Sequence, residues 1–63
     1  STAGTGDILA GLISSFLAQG LNPMESCKLG VAIHGHCADE SNLKSGLMPS
    51  ELMYLIRNYI NQL

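Results

Sequence analysis

Charged residues are scarce in this sequence, where they account for 13% of the 63 residues. The basic ones are Lys28, Lys44 and Arg57, which are spread along a chain whose formal net charge is −2. Nucleic acids and anionic membranes are bound by clusters of basic side chains, and the sequence contains no such cluster. We therefore expect neither kind of partner.

Long hydrophobic runs are also missing from the sequence. No apolar stretch approaches the ~20 residues of a membrane-spanning helix, and no charged segment precedes a hydrophobic one as in a signal peptide. The pattern predicts a soluble, cytoplasmic protein.

Cysteine is limited to Cys27 and Cys37. Both fall in one predicted helix, where their spacing separates them by ~15 Å and prevents a disulfide between them. We interpret both as small buried thiols in a reducing compartment.

What the chain has in abundance is apolar side chains. A domain of 63 residues has a core that is marginal without disulfides, a metal ion or a partner. Its hydrophobic fraction of 46% nevertheless exceeds what a free-standing small domain usually carries. The combination predicts that apolar surface of this chain contacts something beyond these residues.

The apolar side chains recur with a helical period in three stretches. They predict an all-α chain with three helices, over residues 6–19, 23–42 and 49–62. In the third, the predicted apolar stripe comprises Leu52, Met53, Leu55, Ile56, Tyr59, Ile60 and Leu63.

The helix boundaries carry local signals of their own. Gly20 supplies the left-handed residue that ends the first helix. Asn22 and Glu25 predict a capping box at the start of the second helix, with Pro23 at its first position. A proline and a glutamate within residues 49–51 open the third helix.

Two histidines lie on the second helix. The predicted buried face of this helix comprises Met24, Cys27, Val31, His34 and Ala38, with Gly30, Ile33 and Cys37 beside it. Because His34 and His36 are two positions apart, they point roughly 200° apart on a helix and do not share a metal ion. We expect His34 to be a core histidine with a hydrogen-bonded ring nitrogen. His36 is placed to pair with Asp39 or Glu40.

Two further features are interpreted as packing. Gly11 beside Ala10 keeps one flank of the first helix small, which predicts close approach of another backbone there. Tyr54 and Tyr59 do not share a helix face well, so we interpret them as core side chains with polar tips rather than as a stacking platform.

The first residues of the chain have the composition of an anion-binding turn. Gly4 and Gly6 allow positive φ, which lets several backbone N–H groups converge on one point. The helix that follows adds the positive end of its dipole. Phosphate or a developing oxyanion is favoured at such a position.

Asp7 directly follows this turn, and two interpretations of it remain open. It could compensate the helix dipole or cap the helix. It could also be the base that accepts a hydroxyl proton in phosphoryl transfer, next to N–H groups that hold the charge. The spacing alone does not decide between them.

Residues 3–11, Ala-Gly-Thr-Gly-Asp-Ile-Leu-Ala-Gly, resemble the signature of the NAD(P)H-hydrate dehydratases. These form the carbohydrate-kinase-like C-terminal domain of the nicotinamide nucleotide repair enzymes. The likeness continues in residues 17–23, 29–31, 34–35 and 46–47. The Gly-Thr-Gly-Asp core is shared with ribokinase-like kinases, and the other elements favour the dehydratase.

The resemblance implies a fold and a domain assignment. The family's domain is a ribokinase-like α/β three-layer sandwich, and residues 1–63 resemble the C-terminal helical portion of one such domain. The strands and most contacts to the nucleotide would then lie upstream of Ser1, as would much of the substrate pocket.

The implied activity is that of a carbon–oxygen lyase in metabolite repair. Hydrated NADH or NADPH is returned to the intact dinucleotide by phosphorylation of the ring hydroxyl and elimination of phosphate. ADP, which gives AMP and phosphate, or ATP is consumed, and Ala3-Gly4 favours ADP. Magnesium is expected with the nucleotide, although this chain offers no carboxylate cluster for it. We also expect a homo-oligomer.

The motif assigns roles to four residues. Gly4, Thr5 and Gly6 would present backbone N–H groups to the nucleotide phosphates. Asp7 would be the catalytic base and would contact the hydrated nicotinamide. His34 matches the family pattern by position, and the resemblance gives it no chemical role.

Two alternatives lead to different experimental results. A ribokinase-like small-molecule kinase would use the same turn and Asp7 but would accumulate a phosphorylated product. A free-standing helical interaction module, in which the turn is only a cap, would fold from these 63 residues alone and melt cooperatively. A fragment of the dehydratase would instead aggregate or stay partly molten by itself.

Overall fold

The computed structural model describes residues 4–40 and 48–63. These residues form three helices, α1 (Thr5–Ala18), α2 (Pro23–Glu40) and α3 (Pro49–Asn61), and the described ranges contain no strand. The predicted all-α chain is therefore confirmed, and the predicted helix ends that fall within the described residues are within one residue of those observed. The predicted end of the second helix at residue 42 lies outside the described residues.

Local hydrogen bonds fix the end of α1 and the start of α2. Gly20 has a φ of 105°. The N–H of the next residue, Leu21, donates to the Phe16 carbonyl oxygen at 3.1 Å. This left-handed end of α1 is the one predicted at Gly20. The Asn22 Oδ1 accepts from the Glu25 N–H at 2.8 Å, and the Glu25 carboxylate accepts from the Asn22 N–H at 3.3 Å. The predicted capping box is confirmed.

The start of α3 is closed by hydrogen bonds between Met48 and Glu51. The Glu51 carboxylate accepts a hydrogen bond from the Met48 N–H at 2.9 Å. The Glu51 N–H donates to the Met48 carbonyl oxygen at 3.0 Å. Pro49 occupies the first turn, where its missing N–H costs nothing.

The core is small and draws on all three helices. Its buried hydrophobic side chains are Phe16, Ile33, Cys37, Leu52 and Ile56. Half-buried side chains packed around them are Ile8, Leu12, Leu21, Ala38, Leu55, Tyr59 and Ile60. From the predicted stripe of α3, Met53 and Leu63 are exposed instead.

The face that α2 buries differs from the predicted one. Its buried residues are Ser26, Gly30, Ile33 and Cys37, whereas Met24 and Val31 are 67% and 57% exposed. The physical reason is the small size of Gly30, at which a Cβ atom would lie only 2.6 Å from the Ile13 Cγ1. Because α2 can approach α1 closely on this face, the apolar stripe through Met24 and Val31 stays exposed to solvent.

The close approach predicted at Gly11 is absent from the described residues. A Cβ atom built on Gly11 would have no atom within 4 Å. Gly30 has the packing role that the sequence had suggested for Gly11. The prediction of a core tyrosine is also wrong at Tyr54, which is 69% exposed. Tyr54 is two positions from both Leu52 and Ile56, the buried residues of α3, and therefore lies on the opposite side of the helix. Tyr59 is half-buried, as predicted.

The two cysteines lie in different environments. Both are free thiols, as expected, but only Cys37 is buried, and the prediction that Cys27 is buried is wrong. Burial raises the pKa of the Cys37 thiol above its usual value of 9.0, and the negative charge of Glu40 raises it further. Cys37 is therefore a packing residue rather than a nucleophile.

Much apolar surface remains outside this core, as the composition predicted. The exposed large hydrophobic side chains are Leu17, Met24, Leu29, Val31, Met48, Met53, Tyr54 and Leu63. None of the helices in the described ranges has both the length and the apolar content needed to cross a bilayer.

Candidate functional site

The turn that opens α1 has the left-handed geometry that the glycine pattern suggested. Gly4 is the N-cap residue, with φ 92° and ψ −14°. The helix's own hydrogen bonds begin with the Ile8 N–H, which donates to the Gly4 carbonyl oxygen at 3.2 Å. The N–H groups of Gly6 and Asp7 come before this bond and point out of the helix end. The predicted positive φ is confirmed at Gly4 and wrong at Gly6, which lies within the first helical turn.

The start of α3 packs against this turn. A Cβ atom on Gly4 would lie 2.9 Å from the Pro49 Cγ, so the position requires glycine for space as well as for φ. The N-terminal ends of α1 and α3 therefore meet. The positive ends of two helix dipoles therefore lie in the same part of the molecule.

α2 contacts the turn through His34. The His34 Nε2 lies 3.1 Å from the Thr5 carbonyl oxygen, across 29 positions in sequence. Because a carbonyl oxygen only accepts hydrogen bonds, Nε2 carries the proton in this contact. The predicted hydrogen bond of a ring nitrogen is confirmed, but His34 is half-buried and is not one of the buried core residues.

His36 faces a different environment. Its Nε2 lies 3.1 Å from the Glu40 Oε1, which is one of the two pairings predicted for it. Its ring also lies against Tyr59, with 4.6 Å between the ring centroids. Within residues 4–40 and 48–63, no three histidine, cysteine, aspartate or glutamate side chains are grouped so that they could hold a metal ion.

A groove with a volume of about 520 Å³ runs between α1 and α3. Its α1 wall comprises Asp7, Ile8, Gly11, Leu12 and Ser15, and its α3 wall comprises Met53, Ile56, Arg57, Ile60 and Asn61. The exposed Asp7 carboxylate lies at the α1 wall, and Arg57 is the cation of the opposite wall.

The sequence did not predict this groove. Arg57 had been noted only as one of three scattered basic residues, because nothing in its sequence neighbourhood connects it to Asp7. The one available signal is periodicity, since Arg57 follows Met53 by four positions and shares its side of α3.

These elements combine an anion-binding turn with an adjacent carboxylate. Backbone N–H groups at the start of α1 attract negative charge, and the next side chain, Asp7, is exposed toward the groove. Such an arrangement holds a phosphate while a carboxylate accepts a proton from a bound hydroxyl. The roles of Gly4, Thr5, Gly6 and Asp7 stay predictions.

A family model described as NAD(P)H-hydrate dehydratase matches residues 1–61. The chain is 37% identical over 65 aligned residues to a bifunctional NAD(P)H-hydrate repair enzyme of Moorella thermoacetica, covering 92% of this chain. It is 39% identical over 56 residues to an ADP-dependent (S)-NAD(P)H-hydrate dehydratase of Neisseria meningitidis, covering 82% of this chain. A bifunctional repair enzyme of Vibrio cholerae is 36% identical over 64 residues, covering 97%.

The chain spans only a small part of these relatives, namely 12% of the Moorella, 19% of the Neisseria and 13% of the Vibrio protein. No solved structure gives a significant match. The match to the family model nevertheless extends over all three helices, and it includes the turn and Asp7. The chain belongs to the NAD(P)H-hydrate dehydratase family.

Proposed function

We propose that this chain supplies the phosphate-binding turn and the catalytic base of a nucleotide-dependent NAD(P)H-hydrate dehydratase. The observation that carries the proposal is the position of Asp7. Its exposed carboxylate faces the groove in the first turn of α1, three positions after the left-handed Gly4 and at the helix end whose N–H groups point outward.

The proposed chemistry begins with proton transfer to Asp7 from the hydroxyl group on the hydrated nicotinamide ring. The hydroxyl oxygen forms a bond to the terminal phosphorus of the nucleotide, and the bond from that phosphorus to its bridging oxygen breaks. The phosphate ester then leaves the ring as inorganic phosphate, with loss of a proton from the adjacent carbon, which restores the double bond. With ADP, the products are AMP, phosphate and NADH or NADPH.

The N–H groups of Thr5 and Gly6 would stabilise the negative charge that develops on the transferred phosphoryl group. Fixed backbone dipoles act strongly on such charge because they need no reorganisation during the reaction. Gly4 contributes by its φ of 92°, which orients the peptide that follows it. For its role, the Asp7 carboxylate has to be placed within reach of the hydroxyl proton.

Magnesium is expected with the nucleotide, but the described residues do not form a site for it. Within them, no three acidic, histidine or cysteine side chains converge. ADP is the proposed nucleotide, which is supported by the ADP-dependent dehydratase of Neisseria meningitidis and by the residues Ala3-Gly4.

We further propose that the chain is the C-terminal portion of one larger dehydratase domain. The support is twofold: the chain spans less than a fifth of its relatives, and apolar side chains such as Met24 and Val31 stand exposed on α2. Contact with the rest of such a domain would bury that stripe. The proposal predicts that the isolated 63 residues aggregate or melt without cooperativity in circular dichroism.

The test of the function uses the intact protein with hydrated NADH, magnesium and either ADP or ATP, and follows the recovery of dihydronicotinamide absorbance. We expect Asp7→Asn to lower kcat by about 10²–10⁴-fold, the usual contribution of a general base, while nucleotide binding persists. Asp39→Asn is the matched control, because Asp39 is also an exposed helical aspartate but lies on α2. It should leave the rate unchanged.

Three results would overturn the proposal. Accumulation of a phosphorylated product without recovery of absorbance would identify a kinase of the ribokinase type. Full activity of Asp7→Asn would remove Asp7 from the mechanism. If neither nucleotide supports recovery in well-folded protein, the dehydratase function itself is wrong.

A further inference from the structure

We infer that His34 is a positioning residue that aims the Gly6 N–H of the anion-binding turn, acting through the peptide unit between Thr5 and Gly6. The inference rests on the proposed function, since it concerns the same turn. It assigns a role to a side chain that neither the family resemblance nor the proposed chemistry uses.

The argument starts from the geometry of one peptide unit. The His34 Nε2–H donates to the Thr5 carbonyl oxygen at 3.1 Å. That oxygen and the Gly6 N–H belong to the same planar, trans group, in which C=O and N–H point in opposite directions. A hydrogen bond that holds the oxygen therefore also fixes the direction of the Gly6 N–H.

Two residues of the turn provide no side-chain support. Gly4 and Gly6 have no side chains, and glycine is the most flexible residue in the backbone. α1 has no side-chain hydrogen bond at its N-cap, and the first residues of a helix fray most readily. His34 ties this end to α2, a helix of 18 residues, in which it is half-buried.

The hydrogen bond also acts electronically on the same group. Hydrogen bonds in a chain polarise one another, so an amide whose oxygen accepts a bond becomes a better N–H donor. His34 would thus orient the Gly6 N–H and strengthen it, although it does not touch the phosphate. Both effects require a donor at the position of Nε2, and neither requires an imidazole ring.

The test compares variants of the intact protein that differ in this donor. His34→Leu keeps an apolar body without a donor, whereas the amide nitrogen of His34→Gln can take the place of Nε2. His34→Asn keeps a polar side chain that is too short to reach Thr5. It therefore tests the position of the donor without making the site apolar, in case His34→Leu folds poorly. The control is His36→Gln, because His36 is two positions away, exposed and bonded to Glu40.

Steady-state kinetics give the first readout. We expect His34→Leu and His34→Asn to lower kcat about tenfold, less than the ~10²–10³-fold loss that follows removal of such a donor outright. KM for the hydrated dinucleotide should stay unchanged, because the turn is proposed to hold the nucleotide phosphates. His34→Gln should recover most of the rate, and His36→Gln should equal the wild type.

The second readout does not depend on activity. Labelling threonine with ¹³C at the carbonyl and glycine with ¹⁵N selects Thr-Gly peptides in NMR spectra, and Thr5-Gly6 is the one such pair in these 63 residues. We expect its amide resonance to shift in His34→Leu and to return in His34→Gln. Addition of ADP should move the resonance in the wild type and much less in His34→Leu.

These readouts separate the two hypotheses. A wild type that lacks dehydratase activity but shows the ADP-dependent Gly6 shift, lost in His34→Leu, would overturn the proposed function and leave the positioning role intact. Equal losses of kcat in His34→Leu and His34→Gln, with an unmoved Gly6 resonance, would reduce His34 to a packing residue. Wild-type kinetics in His34→Leu would overturn the inference directly.

Discussion

The two flanks of α1 are built in opposite ways. Toward α2 the contact is tight, with the backbone of Gly30 against Ile13 and the His34 side chain bonded to Thr5. Toward α3 the same helix borders a groove of about 520 Å³, and Gly11 has no atom within 4 Å of its Cβ position.

One side of α1 is therefore held by packing, while the other side stays accessible. The closed flank holds the first turn in place through side chains that take no part in the proposed chemistry. The open flank leaves the Asp7 carboxylate accessible at the groove wall. A functional group is positioned best when the residues behind it are locked by packing and hydrogen bonds, and the contact of α1 with α2 meets this condition.

The largest effect is expected from filling the closed flank. In Gly30→Val, the new side chain meets Ile13 where a Cβ alone would be 2.6 Å from Cγ1, and overpacking should destabilise the intact protein by about 3 kcal/mol. Gly35→Val is the matched control on the same helix, because a Cβ there meets nothing within 4 Å. Urea unfolding measures both. Equal midpoints would show that α1 and α2 are not closely packed.

A somewhat smaller effect should follow from Gly4→Ala. The left-handed conformation, with φ 92°, costs a residue with a Cβ about 1–2 kcal/mol, and contact with Pro49 adds to this. Gly20→Ala is the control, because Gly20 has φ 105° and open space around its Cβ position. The difference between the two unfolding free energies measures the contact with Pro49. A larger loss for Gly20→Ala would show that α3 does not close against the turn.

The reactivity of Cys37 measures how far the tight packing of α2 extends along that helix. Alkylation requires an accessible thiolate, and burial and Glu40 raise the pKa of Cys37 above 9.0. Iodoacetamide should therefore modify Cys37 at least about tenfold more slowly in the folded protein than in urea, by peptide mass spectrometry. Equal rates would place Cys37 at the surface.

The same raised pKa has a consequence for stability. As the pH rises through 9.0, the thiol ionises in the unfolded chain before it does so in the folded one, so the folded state is disfavoured. The contribution of the protonated thiol is complete below pH 9 and is lost progressively above it. Cys37→Ala should flatten this part of the stability profile.

The sequence predicted the helices well because their boundaries depend on neighbouring residues. The capping box of Asn22 and Glu25 and the left-handed Gly20 are signals read within a few positions, and both were confirmed. The buried face of α2 could not be chosen in this way. Its stripe through Met24 and Val31 and its stripe through Gly30 are both compatible with burial, and only the position of α1 decides between them.

The same distinction applies to the candidate site. The left-handed turn at Gly4 and a bonded ring nitrogen on His34 were predicted from local chemistry. The partner of that nitrogen, Thr5, is 29 positions away, and no local pattern identifies it. The groove and Arg57 were missed for the same reason, since they depend on how α1 and α3 diverge.

The smallest effect is expected on the open flank, where Gly11→Ala adds a methyl group that meets no atom within 4 Å. Alanine is the better helix former by about 1 kcal/mol, so the substitution should stabilise the intact protein by up to that amount. Urea unfolding, with Gly6→Ala as a second helical glycine without neighbours, measures the change. A loss of stability in Gly11→Ala alone would show that other residues of the intact protein fill the groove. The groove would then be a packing surface, and access to Asp7 would have to come from the helix end rather than from the side.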